Sequence, residues 1–158
     1  MTPRVKTRLA LFGFVGAAFL AGAIGSWATI ENVRSWYPAL IKPAWNPPNW
    51  IFGPVWTTLY VLMGVAIWRA WRGGSPAARS LLRGYFVQLF FNALWSVLFF
   101  GLKQPAWALA DIGVLWLLLI WLQCGLGRAD RIAGWLWLPY VLWVSFATAL
   151  NTAIVRLN

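Results

Sequence analysis

The chain has 158 residues, 61% of them hydrophobic and only 10% charged, with 14 tryptophans, no histidine and a net charge of +10. A mean hydropathy of +0.68 leaves too little polar surface for a water-soluble domain, so the chain reads as an integral membrane protein. The missing histidines exclude Ser-His-Asp and Cys-His nucleophile systems, His-ligated zinc and the commonest axial ligand of haem iron. Three acids, Glu31, Asp111 and Asp130, provide no carboxylate pair for a metal site or for glycosidase chemistry. The single cysteine, Cys124, excludes an internal disulfide and is expected to pack as a small hydrophobe. The basic residues sit in short gaps between apolar runs, which fits topology and anionic lipid headgroups rather than nucleic acid.

Five apolar runs, at about 9–29, 53–72, 84–102, 106–127 and 134–155, are each near the ~20 residues a helix needs to cross the hydrocarbon core. Residues 1–158 are therefore expected to form one all-α, five-helix transmembrane domain. No run alternates with period two, which argues against a barrel. The first run is too long for the apolar part of a signal peptide and is expected to be retained. Of 13 Lys and Arg, nine fall on the N-terminal side of the predicted topology, Arg4 among them. Arg34, Lys42, Lys103 and Arg156 fall on the other side. This imbalance predicts an N-in, C-out arrangement, favouring a bacterial inner membrane, with an outer membrane as the alternative. Within the first run, Gly13, Ala17, Ala21 and Gly25 share one face, as do Ala18, Gly22 and Ser26. Such smooth faces serve close helix packing or form one wall of a cavity for a flat ligand.

From Trp36 to Trp56, spanning the gap between the first two runs and the start of the second, come four tryptophans (Trp36, Trp45, Trp50 and Trp56) and five prolines (Pro38, Pro43, Pro47, Pro48 and Pro54). The prolines forbid a long helix and pre-set turn and extended geometry. The indoles supply flat amphipathic surface. The segment reads as a stiff, aromatic lid at a membrane boundary.

In the second run Trp56, Tyr60 and Met63 share a face, with Thr57 beside them. The third run sets Gln88, Asn92, Trp95 and Ser96 on one face, and the fifth does so with Tyr140, Trp143, Ala147 and Asn151. Polar groups within hydrocarbon need partners, so these faces turn inward, either to join helices or to enclose one pocket. Pro139 is expected to kink the fifth helix, either shaping the pocket floor or as a kink that packing tolerates. Asp111 is expected to be structural, satisfied by a partner such as Thr57 or Tyr60 or by the membrane interface itself. Trp27, Trp68, Trp71, Trp107, Trp135 and Trp137, near span ends, read as interfacial anchors.

The ordered set Trp36-Tyr37, Lys42-Pro43-Ala44-Trp45-Asn46-Pro47-Pro48, Gly53-Pro54-Val55-Trp56, Asn92-Ala93-Leu94-Trp95 and Pro139-Tyr140-Val141-Leu142-Trp143 strongly resembles the TspO/MBR family. That resemblance implies a five-helix bundle that binds protoporphyrin IX and related tetrapyrroles, sterol-like lipids and isoquinoline-carboxamide or benzodiazepine ligands. It places the ligand between the lid and the second, third and fifth helices. The pocket positions implied are Trp36, Trp45, Trp56, Asn92, Trp143 and Ala147, to which the faces above add Trp95 and Gly22. The expected function is a receptor regulating tetrapyrrole-linked or stress responses, with no cofactor required. Alternatives are light- and oxygen-dependent porphyrin degradation through Trp56 and Trp143, and porphyrin or lipid transport. Arg34 and Lys42 flank the lid and are expected to steer the propionates. Two positions depart from the family pattern. Thr152 stands where a sterol motif needs an aromatic residue, and Phe86, Val87, Phe90 and Phe91 make the third helix bulky where relatives dimerise through small residues. A homodimer would then use another surface.

Overall fold

The computed structural model describes residues 3–74 and 76–158, with side chains from Val5 onward. The side chain of Arg4 lies outside the described residues. Six α-helices run in order: α1 Pro3–Thr29, α2 Asn32–Ser35, α3 Phe52–Arg72, α4 Ala78–Ser96, α5 Pro105–Ala129 and α6 Arg131–Leu157. A π turn over Val97–Gly101 prolongs α4, and 3-10 turns at Tyr37–Ala39 and Asn49–Ile51 shape the lid. The five long helices are long and apolar enough to cross a membrane, which makes this a helical multi-pass membrane protein. No strand occurs among the described residues.

The helices outrun the apolar runs at their charged ends. α4 begins at Ala78 rather than near 84 and so includes Arg79 and Arg83; α6 begins at Arg131 rather than near 134. Hydropathy registers only the hydrocarbon segment, whereas backbone hydrogen bonding carries a helix on into the headgroup layer. Asp130 starts α6: its Oδ1 accepts the Ala133 N–H at 3.0 Å, and its Oδ2 pairs with Arg69 Nη2 at 2.9 Å. That pair ties the end of α3 to the α5–α6 corner.

In cross-section the long helices form a ring: α1 packs on α3 and α4, α3 on α6, and α5 on both α4 and α6. The half away from the lid is solid. Met63, Ala66, Leu119, Leu122, Trp137 and Tyr140 are fully buried there. Trp137 corrects an expectation, since it is a core residue and not an interfacial anchor. It shares a helix face with Ala133, Tyr140 and Val144, and its indole N–H donates to Leu119 O at 3.3 Å. Trp27, Trp107 and Trp135 are exposed, as interfacial anchors would be. Cys124 is also exposed rather than packed inside. Pro139 sits on the outer surface of α6, beside a shallow groove with Val55 and Leu62 of α3, and not at the floor of the main cavity.

Helices α1 and α3 cross at a glycine. A Cβ added to Gly64 would lie 2.8 Å from Val15 Cα and 2.9 Å from its amide nitrogen, so backbone meets backbone. Gly13 meets nothing within 4 Å. Gly64→Ala should therefore lower stability by about 1–3 kcal/mol as an overpacking change, whereas Gly13→Ala should not destabilise; thermal unfolding in detergent separates the two.

Burial pulls the Asp130 carboxyl upward, but the Ala133 N–H bond and Arg69 outweigh it and hold the group below the ordinary carboxylate range. A carboxyl lowered in the folded state contributes stability above its unfolded value of about 3.9, and that contribution is lost as pH falls through the folded value. Asp130→Asn should thus lower the melting temperature at pH 7, with the gap to wild type closing below about pH 4. A constant gap across the titration would contradict this account.

Candidate ligand-binding cavity

The lid spans the end of the ring from α1 to α3. Its prolines leave many carbonyls without local donors, and Lys42 supplies them. The Lys42 ammonium donates to Tyr37 O at 2.8 Å, Leu40 O at 2.7 Å and Pro38 O at 3.2 Å, and lies 4.9 Å from the Tyr37 ring centre. Tyr37 is buried and donates its hydroxyl proton to Asn46 Oδ1 at 2.8 Å. Burial raises that hydroxyl above its usual value, with the Asn46 bond offsetting part of the effect, so Tyr37 remains a donor. Asn158, just past α6, bonds the lid twice: it accepts the Ile41 N–H and donates to Ile41 O, each at 3.0 Å.

Beneath the lid is a cavity of about 500 Å³, inside the roughly 300–1,000 Å³ range of small-molecule sites. Its walls are mainly aromatic. Trp56 stacks on Tyr60 with centroids 5.5 Å apart and stands edge-on to Tyr140 at 6.1 Å. Trp143 stands edge-on to Phe52 at 5.9 Å and tilts against Phe146 at 5.5 Å. Trp95 stacks on Phe99 at 5.1 Å.

Two polar chains cross the ring at this level. In the first, Asn92 Nδ2 donates to the Tyr140 hydroxyl at 3.0 Å, and that hydroxyl donates to Gln88 Oε1 at 2.9 Å. The Tyr60 hydroxyl reaches Asn92 Oδ1 at a long 3.5 Å. In the second, Trp95 Nε1 donates to Asn151 Oδ1 at 3.0 Å, and Asn151 Nδ2 donates to Pro105 O at 2.9 Å. Asn92 and Asn151 therefore serve both readings at once: they join helices and line the cavity.

Of the residues singled out in the sequence, Gly22, Trp56, Asn92, Trp95, Trp143 and Ala147 come together on the cavity wall. Gly22 is there because any side chain would strike the Tyr60 ring. Trp36 and Trp45 do not reach the wall. Trp36 sits edge-on to Phe99 at 5.7 Å, and Trp45, half exposed, packs on Phe146 at 5.7 Å, so both brace the lid from outside. Tyr37 takes the inward position next to Trp36. Arg34 is exposed on α2, whereas the three ammonium donors of Lys42 are already engaged.

The structure adds wall residues that residue patterns did not mark: Thr29 and Ile30 at the end of α1, and Ile112 and Leu115 of α5. The α5 pair carried no signal because α5 is apolar around most of its circumference. Asp111 does not line the cavity. It is buried, and neither carboxylate oxygen has a hydrogen-bond partner among the described residues. The expected partners are engaged elsewhere, Thr57 with Gly53 O at 2.9 Å and Tyr60 with Asn92. No cluster of metal-ligating side chains occurs among the described residues.

The chain is thus a multi-pass membrane protein in which a ring of long helices and a lid surround a cavity with aromatic walls. The TspO/MBR family model matches residues 14–157, and the chain belongs to that family. It is 41% identical over 150 residues to the tryptophan-rich protein TspO of Archaeoglobus fulgidus, covering 95% of this chain and 97% of that one. It is 43% identical over 143 residues to the tryptophan-rich sensory protein of Cereibacter sphaeroides, covering 89% of each. The human translocator protein is 36% identical over 148 residues, covering 92% of this chain and 82% of the relative.

Tyr140 links two helices through one hydroxyl. Tyr140→Phe leaves Gln88 Oε1 and Asn92 Nδ2 unpaired and should cost about 1 kcal/mol or more of stability. Thr57→Val, which removes only a bond within α3, should cost less; chemical denaturation of both variants in one detergent makes the comparison.

Proposed function

We propose that this protein is a membrane receptor for protoporphyrin IX and related tetrapyrroles, held in the cavity under the lid, with occupancy signalled to tetrapyrrole-linked or stress responses. The observation that carries the reading is the cavity itself: its volume, and the indoles of Trp56, Trp95 and Trp143 on its walls. A macrocycle stacks on such faces at little entropic cost. The sensory role named for the Cereibacter sphaeroides relative supports the regulatory half. The excess of basic residues at the end opposite the lid supports an inner-membrane placement with the lid outside.

Charge at the lid divides between two tasks. Arg34, exposed beside the lid, is placed to meet a propionate. Lys42 stiffens the lid from within. A sterol is the weaker ligand choice, because the Thr152 hydroxyl only bonds back to Thr148 O at 2.8 Å and offers no aromatic face. A homodimer would use a surface other than this face of α4, where Phe86, Val87 and Phe90 stand exposed and bulky.

A second reading, photo-oxidative breakdown of the bound porphyrin, is favoured by one observation: Trp56 and Trp143 both face the cavity, where either would touch the ring.

Titrating protoporphyrin IX into detergent-solubilised protein should quench tryptophan fluorescence saturably, and Trp56→Leu should weaken binding about tenfold, ~1.4 kcal/mol. Arg34→Gln should weaken protoporphyrin but not its dimethyl ester, whereas Lys42→Gln should weaken both alike. Absence of saturable quenching sinks the receptor reading. Illumination in air then decides the second one: bleaching that Trp143→Phe abolishes without loss of binding marks an enzyme.

A further inference from the structure

The lid is stiffened from within by Lys42 and Tyr37 and tied to the end of α6 by Asn158, yet the cavity beneath it is not closed on all sides. Near the membrane-buried half, α1 lies against α3, with Val15 on Gly64 and Gly22 on Tyr60. Toward the lid α1 changes partner. Gly25 packs on Ser96 and Gly101 on Ala28, and the Asn32 amide donates to Phe100 O at 2.9 Å, so this end of α1 belongs to α4. The same end of α3 leans the other way, onto α6, through Phe52 on Trp143 and Trp56 on Tyr140. Two helices that share a crossing and then bind opposite neighbours must diverge.

The wedge they leave lies within the membrane-crossing stretch of both helices. Ala23 and Ser26 edge it on α1, Ile30 just beyond the end of α1, and Gly53 and Thr57 on α3. All five line the cavity and are exposed. A Cβ at Gly53 would meet nothing within 4 Å, so this edge is open. The rim carries little polar surface, since the hydroxyls of Thr29 and Thr57 are spent on carbonyls of their own helices at 2.7 and 2.9 Å, which leaves the Ser26 hydroxyl. To a molecule in lipid, this is an apolar slot.

We infer that ligands enter the cavity sideways from the bilayer through the α1–α3 slot, so that the protein selects for flat amphiphiles already dissolved in the membrane and the lid does not act as the door. The inference rests on the receptor reading for its ligand, and the slot residues set what passes: their small side chains admit the edge of a planar ring. A water-borne ligand that does not partition into lipid is excluded.

Two measurements on protein in lipid nanodiscs test it. In stopped-flow quenching with protoporphyrin IX delivered from vesicles, Ala23→Trp and Gly53→Trp should slow association about tenfold, with dissociation slowed alongside it. The lid-loosening change Asn158→Ala should leave the association rate unaltered. Slowing by neither slot variant, or acceleration by the lid variant, overturns the inference. The second measurement needs no ligand. A nitroxide attached to Thr57→Cys in a Cys124→Ser background should relax with dissolved oxygen and not with a water-soluble nickel chelate. Nickel access places water in the slot and overturns the inference. Failure of protoporphyrin to quench at all overturns the receptor reading instead, and leaves the slot to be decided by the nitroxide.

Discussion

In hydrocarbon, two apolar helix faces gain nothing by leaving lipid for one another, so association rests on close packing and hydrogen bonds. The contact of Gly64 with the Val15 backbone is the closest approach this permits, and the other features follow from it. It pins α1 to α3 in the solid half of the bundle. Because α1 then turns to α4 and α3 to α6, the space between them widens toward the lid and becomes the cavity. The cavity is thus the geometric complement of a tight crossing, not a hole cut in a uniform core.

The same solvent sets the polar chemistry. An amide or hydroxyl at this depth has no water to fall back on, and every one placed on an inward face must find a partner. Gln88, Asn92 and Tyr140 satisfy one another; Asn151 satisfies Trp95 and Pro105 O. What remains toward the cavity is mostly ring surface. The long Tyr60–Asn92 contact at 3.5 Å is the weakest link of the chain and lies on the wall, where a ligand with a polar edge would compete for it most easily.

Much of this was legible in the sequence, for physical reasons. Runs near 20 residues fixed the spans, because bilayer thickness does, and the periodicity of Trp56–Tyr60–Met63 and of Tyr140–Trp143–Ala147 fixed which faces turn inward. What was not legible needed the third dimension. Trp36 and Tyr37 are adjacent aromatics, and only the turn at Tyr37–Ala39 decides that Tyr37 faces in while Trp36 braces Phe99. Trp137 was misread for a related reason: its distance from the span end matched an anchor, but its register with Ala133 and Tyr140 buried it. Ile112 and Leu115 were invisible because α5 is apolar all round and periodicity cannot pick out a face.

The lid's composition explains why access and closure fall to different parts of the molecule. Pro38, Pro43, Pro47 and Pro48 fix the backbone and remove four N–H donors, so the segment cannot satisfy its own carbonyls by folding into a helix. Lys42 spends its ammonium on three of them and stiffens the lid from within, while Asn158 joins the lid to the end of α6. Lifting this stiff lid as a unit breaks both Asn158–Ile41 bonds and parts Trp36 and Tyr37 from Phe99. Parting α1 from α3 at this end leaves the Thr29 and Thr57 hydroxyl bonds intact, because each is made within its own helix. Where one boundary is held by polar bonds and the neighbouring one only by lipid, thermal motion opens the second far more readily than the first.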